Sequence, residues 1–329
     1  MPANLKYREV YQWGTERLKE SGISEAELDA RLLIEYVCRT DRNTLLVHGD
    51  RKVTPDEYDS YVNCIYKREK HVPLQYITGV QEFMGLEFEV NESVLIPRQD
   101  TEILVEEVMR YLHDGMRILD MCTGSGCILL SLLYYSNDCM GLGVDVSQAA
   151  LDVAVCNLDK LKAIKGEMDA EFMQGDLFEG LERGHYADKD SEGLEKKHYA
   201  DKDFDRSSSG REDLYEDREA AKDVKFDIIV SNPPYIKSSV IETLMPEVKE
   251  YEPISALDGM EDGLYFYRRI TEQAGNYLSG GGRLFFEIGF DQGEAVKGMM
   301  EATGYKQVEI VKDYAGLDRV VHGIFSGRL

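Results

Sequence analysis

The sequence predicts an α/β protein whose main domain is a mostly parallel seven-stranded sheet with an antiparallel C-terminal strand, preceded by a small helical bundle and a β-hairpin linker. Three observations carry this. From residue 117 onward, short apolar runs alternate with helically periodic segments, the pattern of repeated β-α units in a parallel sheet. The first seventy residues carry only helical stripes and helix-start signals. Between them, residues 74–96 show aromatic and β-branched runs around glycine-containing turns.

Taken in order, Tyr7, Val10, Tyr11, Gly14 and Leu18 fall on one helical face, and Gly22 ends that helix. Ser24 and Glu27 have capping-box spacing before Leu28, Leu32, Leu33 and Tyr36. Thr54, Pro55 and Glu57 repeat the signal with proline at the first helical position, ahead of Tyr58, Tyr61, Val62 and Ile65. Residues 1–73 therefore read as a helical bundle with no catalytic residues, suited to substrate recognition. Residues 74–96 read as the hairpin linker, with strands at Tyr76–Gly79 and Leu86–Val90. Pro97 breaks the extended run, and Asp100 or Thr101 is placed to cap a helix carrying Ile103, Leu104, Val108 and Leu112.

Residues 97–329 make the main domain. Its strands are expected at Arg117–Met121, Gly141–Val146, Ala170–Gln174, Phe226–Ser231, Arg283–Ile288, Lys306–Lys312 and Arg319–Phe325, the last two as an antiparallel pair. Ile228-Ile229-Val230 has the unbroken apolar character of a central parallel strand. Helices are expected at Cys127–Tyr135, Ala149–Leu161, Tyr265–Leu278 and Glu294–Ala302. Residues 179–223 interrupt the pattern. Glu179–Asp190 and Glu192–Asp203 are near copies, each ending in His-Tyr-Ala-Asp-Lys-Asp, and charged residues with Ser207-Ser208-Ser209 dominate the rest. Two copies are too few for a solenoid. The stretch reads as a solvated, disordered insertion, with His185 and His198 as exposed loop residues rather than metal ligands.

The chain has 329 residues, of which 43% are hydrophobic and 30% charged, and a formal net charge of −24. Such a field repels phosphate, which argues against direct DNA binding or a hold on an anionic membrane. No apolar run is long enough to span a bilayer, and Met1–Lys19 lacks a signal-peptide core, so the expected location is cytoplasmic. Cys38, Cys64, Cys122, Cys127, Cys139 and Cys156 form no CxxC pair, and reduced thiols are expected rather than disulfides or a metal site.

Three strand ends carry the chemistry. Asp120-Met121-Cys122-Thr123-Gly124-Ser125-Gly126 lies between a strand and a helix, where small residues admit a ligand to the backbone and the helix start offers unpaired N–H groups. It contains no G-x-G-x-x-G run and opens on an acid, which suits a ligand with an ammonium group rather than a phosphate. Asp145 ends the next strand, where such folds bind ribose hydroxyls. Asp176 follows the third strand, placed to accept from an adenine amino group, with Leu177 and Phe178 flanking the base. After the fourth strand comes Asn232-Pro233-Pro234-Tyr235. Two prolines stiffen this corner and remove two N–H donors, so it presents acceptors to a planar NH₂ group. Tyr235 and Pro234 are expected to line the substrate pocket.

These motifs resemble a Rossmann-like class I S-adenosylmethionine-dependent methyltransferase acting on a planar amino group. Further stretches sharpen the likeness: Pro73–Gly79, Leu95–Glu102, Gly293-Glu294-Ala295-Val296, Asp313-Tyr314 and Arg319-Val320 resemble the release-factor glutamine methyltransferase family, PrmC (HemK). The resemblance spans nearly the whole chain except 179–223. Cys122 stands where that family's turn usually has glycine. The resemblance implies S-adenosyl-L-methionine as cofactor, held by Asp120, Cys122, Thr123, Gly124, Ser125, Gly126, Asp145, Asp176, Leu177 and Asn232. It implies peptide chain release factors as protein partners, with Asn232 and Pro233 catalytic and Pro234 and Tyr235 completing the substrate site. Arg98 and Glu102 lie in a shared loop and read equally as cofactor cover or as a surface ion pair. The competing reading is a DNA amino-methyltransferase acting on adenine N6 or cytosine N4, which uses the same corner on a flipped base.

Overall fold

A computed structural model of the chain describes residues 5–181 and 225–326. The N-terminal stripe forms α1 (Tyr7–Glu20), which buries Tyr7, Val10, Gly14 and Leu18. With α2 (Ala26–Cys38) and α4 (Pro55–Arg68) it closes a core that includes Leu33, Ile34, Tyr61 and Ile65, while the short α3 (Arg42–Val47) buries none of its residues. Gly14 allows the close crossing, since a Cβ there would lie 2.1 Å from the Tyr61 hydroxyl. The capping box at Thr54 forms, with its N–H donating to Glu57 at 2.8 Å. The one expected at Ser24 does not. Helix α2 begins after Glu25 with no side-chain cap, and the Glu27 carboxylate is drawn to Lys19 at 2.6 Å.

The linker departs from expectation at Tyr76–Gly79. Leu74–Thr78 is a one-turn helix, α5, ended by Gly79 in the left-handed region at φ 80°. Ile77 is buried in the bundle core, and that anchoring outweighs the β preference of Ile and Thr. The hairpin follows as β1 (Val80–Phe83) antiparallel to β2 (Leu86–Glu89), with Phe83 and Phe88 buried edge to face. Next, α6 (Gln99–Met109) has Arg98 at its N-cap position, so neither Asp100 nor Thr101 caps it.

The remaining strands, β3 (Arg117–Met121), β4 (Met140–Asp145), β5 (Asp169–Gln174), β6 (Phe226–Ser231), β7 (Leu278–Glu287), β8 (Tyr305–Lys312) and β9 (Asp318–Phe325), form one seven-stranded sheet ordered β5-β4-β3-β6-β7-β9-β8. β3 to β7 are parallel, and β9 runs antiparallel to both β7 and β8. The connections are α7 (Cys127–Tyr135), α8 (Gln148–Lys165), two four-residue helices α9 (Ser238–Ile241) and α10 (Pro246–Lys249), α11 (Tyr265–Ala274) and α12 (Gly293–Ala302). Along β6, Ile228 and Val230 enter the core beneath α6 and α7, while Ile229 enters the core beneath α11 and α12. That period-2 alternation makes the strand apolar on both faces. Each such fully buried aliphatic side chain contributes about 1.5–3 kcal/mol.

The strand order reverses between β3 and β6, and ligands in open α/β sheets bind at that switch point, beyond the carboxyl ends of the strands. The near-repeat at 179–223 lies outside the described residues from 182 onward. Among the described residues no helix is long and apolar enough to cross a membrane.

Candidate active site

The carboxyl ends of β3, β4, β5 and β6 open on one cavity of about 560 Å³. Asp120 does not face it. Its side chain is 0% exposed beneath the turn, Oδ2 accepting from the Thr123 hydroxyl at 2.6 Å and Oδ1 without a partner among the described residues. Burial pushes this carboxyl up to about 7. Asp120 therefore braces the turn from behind. Above it, Cys122 holds φ 60° and Gly124 φ 55°. Burial, with Asp145 and Asp120 nearby, pushes the Cys122 thiol well up. A Cβ on Gly124 would meet nothing within 4 Å, so this backbone stands bare to the cavity. On Gly126 it would lie 3.1 Å from Leu130 and 3.2 Å from Ala154, which is how closely α7 starts against its neighbours.

Asp145 lines the cavity and ties the turn to the next strand. Its Oδ2 accepts from Gly124 N–H and its Oδ1 from Ser147 N–H, both at 2.9 Å, and burial nonetheless pushes its pKa up. Asp176 also lines the cavity, held by Arg269 of α11 at 2.8 and 3.0 Å. Leu177 lines it at φ 56°. Phe178 corrects the sequence reading. It stacks on Tyr277 with ring centroids 4.7 Å apart, buried in the sheet core rather than flanking a base.

Asn232 leaves β6 at the opposite rim, its Nδ2 donating to Thr101 Oγ1 at 3.4 Å. Asn232 and Pro234 line the cavity together with Cys122, Thr123, Gly124 and Ser125. Pro233 and Tyr235 stand behind it with Gly126 and Asp120. The Tyr235 hydroxyl donates to Glu287 Oε1 at 3.4 Å, and its carbonyl accepts from Gln292 Nε2 at 3.1 Å, so the corner is pinned from below.

Arg98 and Glu102 part company. Arg98 lines the cavity and pairs with the buried Glu252, whereas Glu102 accepts from Met84 N–H at 2.7 Å and steadies the hairpin. The sequence reading did not single out Thr101 as part of the site, nor Arg269, Glu252, Gln292 and Glu287. Of these only Glu287 carries a signal, an acid set within the apolar run Leu284–Ile288.

A bare glycine turn and an acid-lined switch point facing a donor-poor Asn-Pro-Pro-Tyr corner are what a Rossmann-like class I methyltransferase requires. Comparison with known proteins narrows that class. Residues 9–79 match the PrmC N-terminal domain family, and residues 141–280 match the Eco57I restriction-modification methylase family. The release factor glutamine methyltransferase of Geobacter sulfurreducens is 37% identical over 316 residues, 96% of this chain and 95% of its own. That of Clostridium acetobutylicum is 38% identical over 313 residues, 94% of this chain and 95% of its own. Among solved structures, the release-factor-specific protein-(glutamine-N5) methyltransferase of Alicyclobacillus acidocaldarius is 25% identical, covering 72% of this chain and 99% of that one at a TM-score of 0.36. The chain belongs to the release factor glutamine methyltransferase family.

Proposed function

We propose that this chain, in the cytoplasm, transfers a methyl group from S-adenosyl-L-methionine to the side-chain amide nitrogen of the glutamine in the Gly-Gly-Gln motif of peptide chain release factors. The observation that carries this reading is that Asn232 and Pro234 of the Asn-Pro-Pro-Tyr corner line the same cavity as Gly124 and Asp145, in a chain of this family. The donor set fits the cofactor. Asp145 and Asp176 offer acceptors to ribose and adenine, and the bare backbone at Gly124 admits a close-lying ligand. When bound, the cofactor supplies a methyl group on a cationic sulfur, already activated for transfer.

The chain's own task is position and electrostatics. A carboxamide nitrogen is a weak nucleophile because its lone pair is delocalised into the carbonyl. Asn232 Oδ1 and the Pro233 carbonyl accept its two hydrogens and so favour positive charge growing on that nitrogen. The two prolines hold both acceptors rigidly and contribute no competing N–H. Asp120, Cys122, Thr123, Ser125, Gly126 and Leu177 shape the cofactor side, and Pro234 and Tyr235 shape the substrate side.

Mass spectrometry of a release factor incubated with the chain and cofactor tests the reading. One added methyl on the motif glutamine is expected, and Asn232→Ala should lower kcat by about 10²–10³-fold with cofactor affinity nearly unchanged. Near-normal turnover by that variant would remove Asn232 from its role. The match of residues 141–280 to a restriction-modification methylase favours the second reading, a DNA amino-methyltransferase. Duplex DNA is therefore the parallel arm. With a net charge of −24 it is expected to stay unlabelled, and label on DNA alone would overturn the protein-substrate reading.

A further inference from the structure

The function proposed above needs the Asn232 carboxamide turned one way, with its oxygen toward the amide to be methylated. The two ends of a carboxamide are nearly equal in shape, so a hydrogen-bond partner must choose between them. Thr101, in the first turn of α6, is 2% exposed, and its Oγ1 accepts from Asn232 Nδ2 at 3.4 Å. A hydroxyl that accepts there still has its own proton to give. Glu287, the last residue of β7, is also 2% exposed, and its Oε2 is buried without a hydrogen-bond partner among the described residues. Of the groups around it, Thr101 does most to favour its charged form. Its Oε1 accepts from the Tyr235 hydroxyl. Sheet register makes the meeting possible, since Phe286 pairs with Ser231 and the next residues are Glu287 and Asn232. A buried carboxyl is costly where an apolar side chain would pack, and the cation acting on it, Arg319, is already shared between Asp313 and Asp100 at 3.0 Å each.

We propose that Glu287 is a positioning residue for methyl transfer: its carboxylate draws the Thr101 hydroxyl proton and the Tyr235 hydroxyl, fixing both ends of the Asn-Pro-Pro-Tyr corner and the facing of the Asn232 carboxamide. With its proton committed to Glu287, Thr101 can only accept from Asn232. Nδ2 is held toward Thr101, and Oδ1 is left for the substrate. The inference rests on the proposed function of the corner. The groups facing Glu287 are Arg319 from β9, Asp100 from α6, Tyr235, Cys127 from α7, and Tyr267 from α11, whose hydroxyl donates to the Glu287 carbonyl at 2.9 Å. Burial pushes the Glu287 carboxyl up to about 7. Once protonated it no longer claims the Thr101 proton, and that hydroxyl is free to donate to Asn232 Oδ1 and turn the amide over.

The test is a kinetic series at pH 5–8 on release factor with Glu287→Gln, Thr101→Val, Thr101→Ser and the Glu287→Gln/Thr101→Val double variant. Wild-type kcat should fall below about pH 7, and Glu287→Gln should lose that acid limb and run about tenfold slower at pH 8, with cofactor affinity by calorimetry within about twofold. Thr101→Val should lose as much, the double variant no more than either, and Thr101→Ser should recover most of the loss. The folded-state pKa is raised, so this carboxyl's contribution to stability is lost as pH rises toward 7. Glu287→Gln should therefore gain stability relative to wild type between pH 5 and pH 8, where a merely structural role would show a loss. An active wild type with an unaltered Glu287→Gln profile, or single losses that multiply in the double variant, overturns the positioning role alone. A wild type that moves no methyl to release factor overturns the substrate reading and this inference with it.

Discussion

At the scale of single residues the glycine turn shows what the backbone demands of the side chain. Cys122 holds φ 60° on the cavity wall, in the left-handed region where a side chain meets the next carbonyl. The family's usual glycine avoids that cost, and cysteine, unbranched at Cβ, tolerates it. Valine should not. Cys122→Val should destabilise by about 1–3 kcal/mol in urea unfolding, whereas Cys122→Gly, which trades strain for chain entropy, should stay within about 1 kcal/mol of wild type. Equal midpoints for the two variants would mean that the turn relaxes and stores no strain. Asp120 beneath it carries a pH signature. Its carboxyl is pushed up to about 7 by burial, so its contribution favours the fold at acid pH and is lost as pH rises from about 4 to 7. Asp120→Asn should flatten that part of the stability profile, measured by urea titration at each pH.

Among the elements, α5 departs furthest from its sequence pattern. Tyr76-Ile77-Thr78 has strand composition, yet Pro73 starts a helical turn there and Ile77 reaches the bundle core. Gly79 ends it at φ 80°, and a Cβ there would touch nothing within 4 Å, so any penalty for a side chain is pure backbone strain. Gly79→Ala should cost about 1–2 kcal/mol, while Gly280→Ala, in equally open space but without positive φ, should be neutral or slightly stabilising. The seven-stranded sheet is legible because its central strands are short apolar runs bounded by turns, β6 most of all because both its faces are buried. What escaped was of two kinds. The four-residue helices α9 and α10 are too short to show a period. The partners of the Asn-Pro-Pro-Tyr corner lie far off in sequence, Thr101 at 131 residues from Asn232 and Glu287 at 52 from Tyr235, where only the fold unites them. The corner, Asp145 and Asp176 stand out in the sequence because each lies where a strand meets its turn. Of the braces behind them, Thr101, Arg269, Glu252 and Gln292 carry no such signal.

Across the whole molecule, one segment stitches the bundle to the candidate-site cavity. Arg68 of α4 reaches Asp29 of α2 at 2.7 Å within the bundle and Glu247 of α10 at 2.9 Å outside it. Tyr251 donates to the Lys70 carbonyl at 2.6 Å, Glu252 pairs with Arg98, and the chain then forms the cavity wall at Ile254, Ser255 and Ala256. These contacts tie the bundle to the segment that forms the cavity wall. The two halves of the Arg68 clamp should separate on mutation. Arg68→Met strands Asp29 in the bundle core, and removing one partner of a buried pair costs about 3–5 kcal/mol. Glu247→Gln leaves that pair intact and, at a partly exposed site, should cost at most about 1 kcal/mol. Its effect should instead be local, with faster amide exchange over 246–258 and weaker cofactor binding at unchanged thermal stability. Burial pushes the Glu247 carboxyl up, but hydrogen bonds from its own backbone N–H and from Arg68 win and hold it below the usual range. The stitch therefore persists above the ordinary carboxylate pKa and opens only as pH falls through the depressed value. If exchange over 246–258 is the same in wild type and Glu247→Gln, the bundle and the cavity wall move independently and the coupling is absent.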